Sequence, residues 1–532
     1  MSRISPLSLV RNGEVESTAP SIEALRTEVS RQLDRVFGLV ETAARAERVR
    51  FVDVEEELRT RVLAFAASVV VLFLALREQH VLASLSAARG SFEQGGRRFR
   101  RAPANARNLS TLFGVVRYWR TYLREVGAKR PRGMHPLDLS LGLGKERFSF
   151  SVLATAARLA TQMAFCEARA TMGRFVPQVP STEVIEKTVL GLGAYTEAFF
   201  AQQPAPEEDG EVLVIEVDGK AVPTATEQEL RRRRRPRSPR AAEQGPRSPR
   251  HRGRHKRARH PTPPRRKKGD KGKNGKVATL VVLYTLRRRG TRRLEGPLNR
   301  RHYVSFGSKR HAFEVARREA DKRGFTRESG KLIQLVSDGD RALAELHAEY
   351  FPEALHTLDA YHAFERLWAA GGAFLKEGSP ELKRWVQEQK ERLFRDEVEA
   401  LFQELSTRLE AIPKTGPGTK GRRRRLSLAF GYLQRRASMI RYGWLRRRDL
   451  VIGTGIVEGA IKHIVGRRCD HGGMRWIKER AQALLQLRCI QINGDWERFE
   501  RFVHERIDAH AQLHQETARL PRAEPVPLPV AA

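Results

Sequence analysis

Cysteine is nearly absent from this chain: Cys166, Cys469 and Cys489 stand far apart, and no CxxC pair occurs. Three scattered thiols exclude a disulfide scaffold and point to a reducing compartment. They also leave little for a structural zinc site, since HIVGRRCDH offers His463, Cys469 and His471 without a second ligand pair. A nucleotide phosphate loop is missing too. GPGTKGRRRR, Gly416–Arg425, departs from G-x-x-x-x-G-K-[ST], and no strand leads into it. Only one uncharged apolar run occurs, VLAFAASVVVLFLAL from Val62 to Leu76, and it falls short of the roughly 18 residues of a membrane span. A buried core helix is expected there. The opening MSRISPLSLVRNGEVEST has no long apolar core of a signal peptide, so a soluble, cytoplasmic chain without a membrane partner is expected.

Negative charge is the other shortage. Asp and Glu number 62 against 99 Lys and Arg, a net charge of +37 and a pI near 11.0 over 532 residues. Self-repulsion on that scale costs stability, and a polyanionic partner offsets it. Nucleic acid fits best, because the excess is spread along the chain as well as concentrated in one run. That run, Arg231 to Lys276, holds 21 lysines and arginines against two acids and contains PRSPR twice. Almost no large apolar residue interrupts it, so it cannot bury enough surface to offset its ordering entropy. It reads as a disordered arm on phosphate without sequence specificity, the plainer alternative being a solvated linker.

Helix-period patterning covers about Ser21 to Phe99. RNLSTLFGVVRYWRTYLREVG, Arg107–Gly127, suggests a short hairpin around Gly114. Its RYWRTYLR portion interleaves aromatics with arginines, which suits phosphate contact and stacking or, equally, a half-buried amphipathic segment. A helix capped by Ser181 or Thr182 follows within Val179–Tyr195. From EVLVIEVDG onward the pattern is strand, strand, strand, helix, strand, helix, strand, helix, an α/β sheet with an antiparallel beginning and a parallel end. Residues from about Ser379 to Tyr442 are helical, and Trp368 and Trp444 read as core.

Three acids stand where such a sheet would bring them together. Asp218 closes the first strand in VIEVDG, Asp338 closes the fourth in QLVSDG, and Glu458 lies on a helix begun at Thr454 or Gly455. Helical spacing sets Ile461 and Val465 beside Glu458, which puts its carboxylate on the margin of a buried stripe. Singly, each acid has a plain reading as turn residue or helix-dipole partner. Together, in so basic a chain, converging carboxylates need cations. Two Mg²⁺ ions about 4 Å apart, or Mn²⁺ in their place, would serve an in-line displacement at phosphorus.

VDGKAVP, KGKNGKVATLVVLYTLRR, SDGDRALAELHAEYFPEALHTLDAYHAFERLW and VIGTGIVEGAIKHIVGRRCDHGGMRW, with LLQLRCIQINGDW, resemble the DDE transposases of bacterial insertion sequences, and the Kra-type family in particular. The resemblance runs from about residue 105 to 500. It implies a ribonuclease H-like catalytic core with an all-helical insertion and an N-terminal DNA-binding region that recognises element ends; the fold expected is thus α/β, with that core preceded by the mainly helical N-terminal region the periodicity gives. It further implies metal-dependent cleavage at element ends and strand transfer to target DNA, in the nucleoid of a bacterium, by a homodimer or higher assembly. Carried over by position, Asp218 is the first acid and Glu458 the third. The second is Asp338, with Asp359 as the stronger alternative and Asp340 as another, and His362 supports the site. From the residues themselves, DNA contact is expected at Arg231, Arg232, Arg233, Arg234 and Arg235 and at Lys267 and Lys268 of the arm. Lys462, Arg467, Arg468, Arg475 and Trp476, which surround Glu458 in sequence, touch the DNA end or, equally, form a solvated helix face.

The chain then divides into a helical region (1–105), a DNA-binding hairpin with helices (106–205), a first core part (206–375) carrying the disordered arm (229–276), a helical insertion (376–446), last core helices with the third acid (447–510) and a flexible tail (511–532). Two other readings stay open, a non-catalytic nucleic-acid binder and a ribonuclease H-like nuclease or resolvase. An arm that lies on phosphate should cost the chain about 1000-fold or more in DNA affinity between roughly 50 and 200 mM salt. Fluorescence anisotropy at several salt concentrations measures it, and a flat response would take the arm off the DNA.

Overall fold

Contacts sort the chain into two units, Met1–Leu192 with Trp496–Ala532, and Gly193–Asp495. The structure, a computed structural model, describes residues 19–84, 91–94, 97–127, 133–234, 275–290, 293–470 and 474–517.

In the first unit a helix over Ile22–Arg45 begins at Ser21, whose hydroxyl accepts from the Ala24 amide at 3.1 Å. It packs on a second helix, Phe51–Ser84. This second helix was expected to be buried, and it is so on one side only. Ala67 and Leu74 meet Leu109, Val116, Tyr118 and Leu137, whereas Val62, Val69, Phe73 and Leu76 are exposed. Its apolar residues run all round the helix, and the neighbouring elements cover only part of the circumference. By length and composition it could cross a membrane.

Strands β1 (Ser91–Gln94), β2 (Arg97–Thr111), β3 (Gly114–Val126) and β4 (Gly133–Met134) form an antiparallel sheet in that order. Helix therefore ends at Ser84 and not near Phe99, and the region 1–105 is not helical throughout. From Arg97 on the period is two: Phe99 is buried while Arg98 and Arg100 are exposed. The hairpin is accordingly longer than expected. Along β3 Tyr118 and Leu123 point inward and Arg117 and Arg124 outward, so the amphipathic reading describes its inner face. The Tyr118 hydroxyl donates to Asp138 at 2.8 Å, and Arg107 donates to the other carboxylate oxygen at 2.9 Å.

The second unit is built on β5 (Val212–Val222), β6 (Lys276–Arg289), β7 (Arg293–Ser305), β8 (Leu332–Ser337) and β9 (Leu355–Leu358), in the sheet order β7-β6-β5-β8-β9. β5, β6 and β7 pair antiparallel, while β8 and β9 join parallel to β5. Helices follow β7, β8 and β9 at Lys309–Lys322, Arg341–Tyr350 and Ala360–Gly371, in the order the sequence suggested. Strand alternation divides the sheet into two faces. Leu213, Ile215 and Val217, with Val281, Leu283, Ile333 and Leu335, pack on Phe313, Ala316 and Leu343. Val214, Glu216 and Asp218 therefore take the opposite face, which the helix Gly455–Ile461 covers.

Several expectations change here. β5 does not close on Asp218 but stays paired with β6 as far as Val222↔Lys276, because β6 is equally long. Its parallel pairing with β8 stops at Glu216↔Val336, so the ladder ends beside Asp218 on that side only. Val222 and Lys276, the ends between which the basic run lies in sequence, are thus paired with each other. The arm is also shorter than 229–276. A helix over Glu227–Arg234 carries Arg231, Arg232, Arg233 and Arg234. Thr226 accepts the Glu229 amide at 3.3 Å, and Arg475 and Arg480 pair with Glu229 and Glu227 at 3.4 and 3.2 Å, which holds that turn in place. Arg235, Lys267 and Lys268 lie outside the described residues.

The insertion is helical, at Pro380–Phe394, Val398–Ala411 and Thr419–Gln434. Trp368 is not core but 40% exposed, and Trp444 is half-buried under the Arg448 guanidinium, 4.2 Å from its ring. Residues 193–205 belong to the second unit, while the chain from Trp496 belongs to the first. The helix Trp496–Thr517 enters the stretch expected as tail.

Asp209 ties β5, β6 and β7 to the end of the Lys309–Lys322 helix. It accepts from Arg323 at 2.6 and 2.8 Å, from Asn299 at 3.0 Å and from the Thr285 hydroxyl. Burial alone would raise this carboxyl, but the bonds from Arg323, Thr285 and Asn299 outweigh it and hold it at about 2. A depressed carboxylate contributes stability above its unfolded value near 3.8 and loses it as pH falls toward 2. Asp209→Asn should cost roughly 1–2 kcal/mol at neutral pH, discounted for partial exposure. Denaturant midpoints followed from pH 7 down should converge for the two proteins below about pH 2, and an unchanged midpoint at neutral pH would contradict this.

Candidate metal-binding carboxylate site

Parallel strands end together. β5, β8 and β9 are neighbours with a common direction, so Asp338 and Asp359, the residues that follow β8 and β9, emerge at one edge with Asp218. Glu458 arrives from above, in the first turn of the Gly455–Ile461 helix on the face that carries Asp218. Their proximity registers in charge. The Asp218 carboxyl is raised above its ordinary value, first by burial and then by the Asp338 and Glu458 carboxylates. A 2.6 Å bond from the Gly219 amide and the nearby His362 oppose that rise.

Asp359 is fully buried and heavily engaged. One oxygen accepts from the Thr454 amide at 3.0 Å and the Tyr361 amide at 3.4 Å. The other accepts from the His362 amide at 3.2 Å and lies 2.5 Å from His362 Nδ1. These bonds outweigh burial and hold the carboxyl low, and the same contact with Asp359 raises His362. Ligand atoms of Asp359, His362 and Glu458 all lie within 4.8 Å of one another. Asp340 is drawn away as the cap of the following helix, accepting from the Ala342 amide at 2.7 Å and pairing with Lys309 at 3.0 Å. The Asp338 carboxylate accepts only the Asp340 amide, at 2.8 Å, among the bonds described.

Three further residues escaped sequence reasoning. Glu216 is fully buried between Tyr284, whose hydroxyl donates at 2.7 Å, and the Val457 amide, which donates at 2.8 Å. Burial pushes its carboxyl up to about 7. A charge inside the apolar run VLVIEV, two positions before Asp218, was the available signal. Tyr432 and Arg436 come from the last insertion helix and the turn after it. Tyr432 donates its hydroxyl to the Asp338 carbonyl, and Arg436 donates Nε to the Gly339 carbonyl at 2.7 Å. Gly339 adopts φ 73° against Arg436, where a side chain would collide. Nothing in the local sequence links these distant positions.

No family model matches the chain, and no curated protein is similar to it. Among solved structures, the Drosophila P element transposase strand transfer complex is similar at 12% identity over 68% of this chain and 95% of that one, with a TM-score of 0.29. That likeness is too low to carry weight.

Asp359, His362 and Glu458 are the ligand atoms the structure gathers most closely, while Asp218 and Asp338 stand beside them at the same sheet edge. Asp359 has four N–H or ring contacts on its two oxygens, which suits it to orienting His362 and the Thr454 loop. Hard carboxylate oxygens match Mg²⁺ or Mn²⁺. Of the residues assigned to DNA, Lys462, Arg467 and Arg475 lie at the surface. Arg468 and Trp476 do not. Both are buried, with the guanidinium 5.0 Å from the indole, because Trp476 is stitched to Pro223 and Ala225 by backbone bonds of 3.0 and 2.9 Å.

Arg436→Ala should loosen the Asp338 turn and cost about 1–2 kcal/mol, since a charged donor leaves a partly buried carbonyl unpaired. Urea unfolding together with hydrogen exchange over residues 337–341 reads both effects, and unchanged exchange there would remove the latch.

Proposed function

We propose that the chain is a DDE-type DNA transposase with a ribonuclease H-like core, binding the ends of an insertion sequence and carrying out metal-dependent cleavage and strand transfer. The observation that carries the reading is the set of acids at one end of the parallel strands, Asp218, Asp338 and Asp359, with Glu458 brought within 4.8 Å of Asp359 and His362, in a chain of charge +37. Numbered from β5, the sheet order is 3-2-1-4-5 with two parallel additions, which is the plan of the ribonuclease H fold. A helical insertion between the fifth strand's helix and the third acid, and the motif resemblance, support the same reading.

In this scheme Asp218, Asp338 and Glu458 would hold two Mg²⁺ or Mn²⁺ ions. When bound, such a pair activates the attacking oxygen and stabilises the leaving one. Asp359 aims His362, which when protonated sets a positive charge beside Asp218 and Asp338. Lys462, Arg467 and Arg475 meet phosphate at the surface around Glu458, and two or more copies assemble on paired ends.

Asp218→Ala, Asp338→Ala and Glu458→Ala should each lower Mg²⁺-dependent nicking of end-bearing DNA by about 1000-fold, with DNA binding retained. Nicking that survives all three would leave a binding protein without this chemistry. Pre-cleaved ends should be joined to target DNA, and cutting without joined products would make the chain a nuclease.

A further inference from the structure

The helix that carries Glu458 is poorly equipped to hold itself. It spans only Gly455–Ile461, passes straight into a π-helical turn at Lys462–Gly466, and starts at Thr454, whose side chain makes no capping bond. The amides of a first helical turn lack partners within the helix and need an acceptor from elsewhere. Val457, immediately before Glu458, donates its amide to Glu216 Oε2 at 2.8 Å. Strand alternation brings Glu216 there, on the same face of β5 as Asp218, and Tyr284 on the neighbouring strand fixes its other oxygen at 2.7 Å. A second carboxylate, Asp359, holds the preceding loop through the Thr454 amide at 3.0 Å.

We propose that Glu216 is a positioning residue: a cap supplied from across the fold, it locks the turn of Glu458 to the strand of Asp218 and so sets the spacing between the first and third acids. One rigid strand holds both Asp218 and the clamp on Glu458, so a shift of the helix along the sheet must first break the Glu216 bond. The proposal rests on the role assigned to Glu458 above, and geometry and chemistry are read separately to keep the two apart.

Two substitutions separate reach from charge. Glu216→Gln keeps an oxygen at the same reach without the charge, whereas Glu216→Asp keeps the charge and withdraws it by one methylene. Each is first checked for folding by thermal unfolding. Hydrogen exchange of the segment holding Val457, single-turnover nicking with Mg²⁺ and the KM for DNA are then compared. The Gln variant should stay within about threefold of wild type in exchange and nicking. In the Asp variant Val457 should exchange about 10- to 100-fold faster, and nicking should fall by about as much with an unchanged KM. The reverse pattern, Asp active and Gln inactive, overturns the positioning role in favour of the charge itself. Equal behaviour of the two variants, whether both active or both inactive, overturns it too. If wild-type protein does not nick DNA, the transposase reading falls, and Val457 exchange in the two variants still decides what Glu216 does.

Discussion

Carboxylates gathered at one sheet edge repel, and much of the second unit is organised around keeping them there. Like charges held close in a partly buried site repel more strongly than in water, and they lose hydration besides. The Asp218 carboxyl is raised first by burial and then further by the Asp338 and Glu458 carboxylates. A fold that tolerates this repulsion must keep the acids from swinging apart, and the supports come from backbone as much as from side chains. Parallel pairing of β5, β8 and β9 aligns the strand ends that lead to Asp218, Asp338 and Asp359.

Around that edge the polar bonds share one logic. Asp359 uses both oxygens to fix His362 and the Thr454 loop, Glu216 fixes the turn before Glu458, and the insertion reaches back through Tyr432 and Arg436 to grip the turn of Asp338. The insertion is therefore a brace for the site as well as a bundle. Arg366 and Arg436 flank the Tyr432 ring at 4.5 and 3.9 Å, adding two cation–π contacts to that brace.

Positive charge does two different jobs. Some arginines are structural: Arg323 sits buried on Asp209, and Arg468 on the Trp476 indole. Others, such as Arg98, Arg100, Arg117 and Arg124 on the hairpin of the first unit and Lys462, Arg467 and Arg475 in the second, face solvent. Composition counts both alike. Only burial tells a guanidinium that packs from one that can meet phosphate.

Element order in the second unit, the helical insertion, the Ser181 cap and the start of the Glu458 helix were all legible in the sequence, because each follows from local periodicity and capping chemistry. That Asp338 follows a strand and that Glu458 lies in the first turn of a helix was legible for the same reason, whereas the end of the strand carrying Asp218 was not. Less was readable where the answer depends on what lies opposite. Whether the apolar helix Phe51–Ser84 is covered, how far β5 runs past Asp218, and whether Arg468 and Trp476 face inward are set by partners distant in sequence. The sequence by itself determined which residues carry charge and which segments are strand or helix, since those depend on neighbours a few positions away. Tertiary structure alone decided which acids meet and which backbone groups Glu216, Tyr432 and Arg436 bond, because the partner of such a bond lies far away in sequence and is set by how the elements pack.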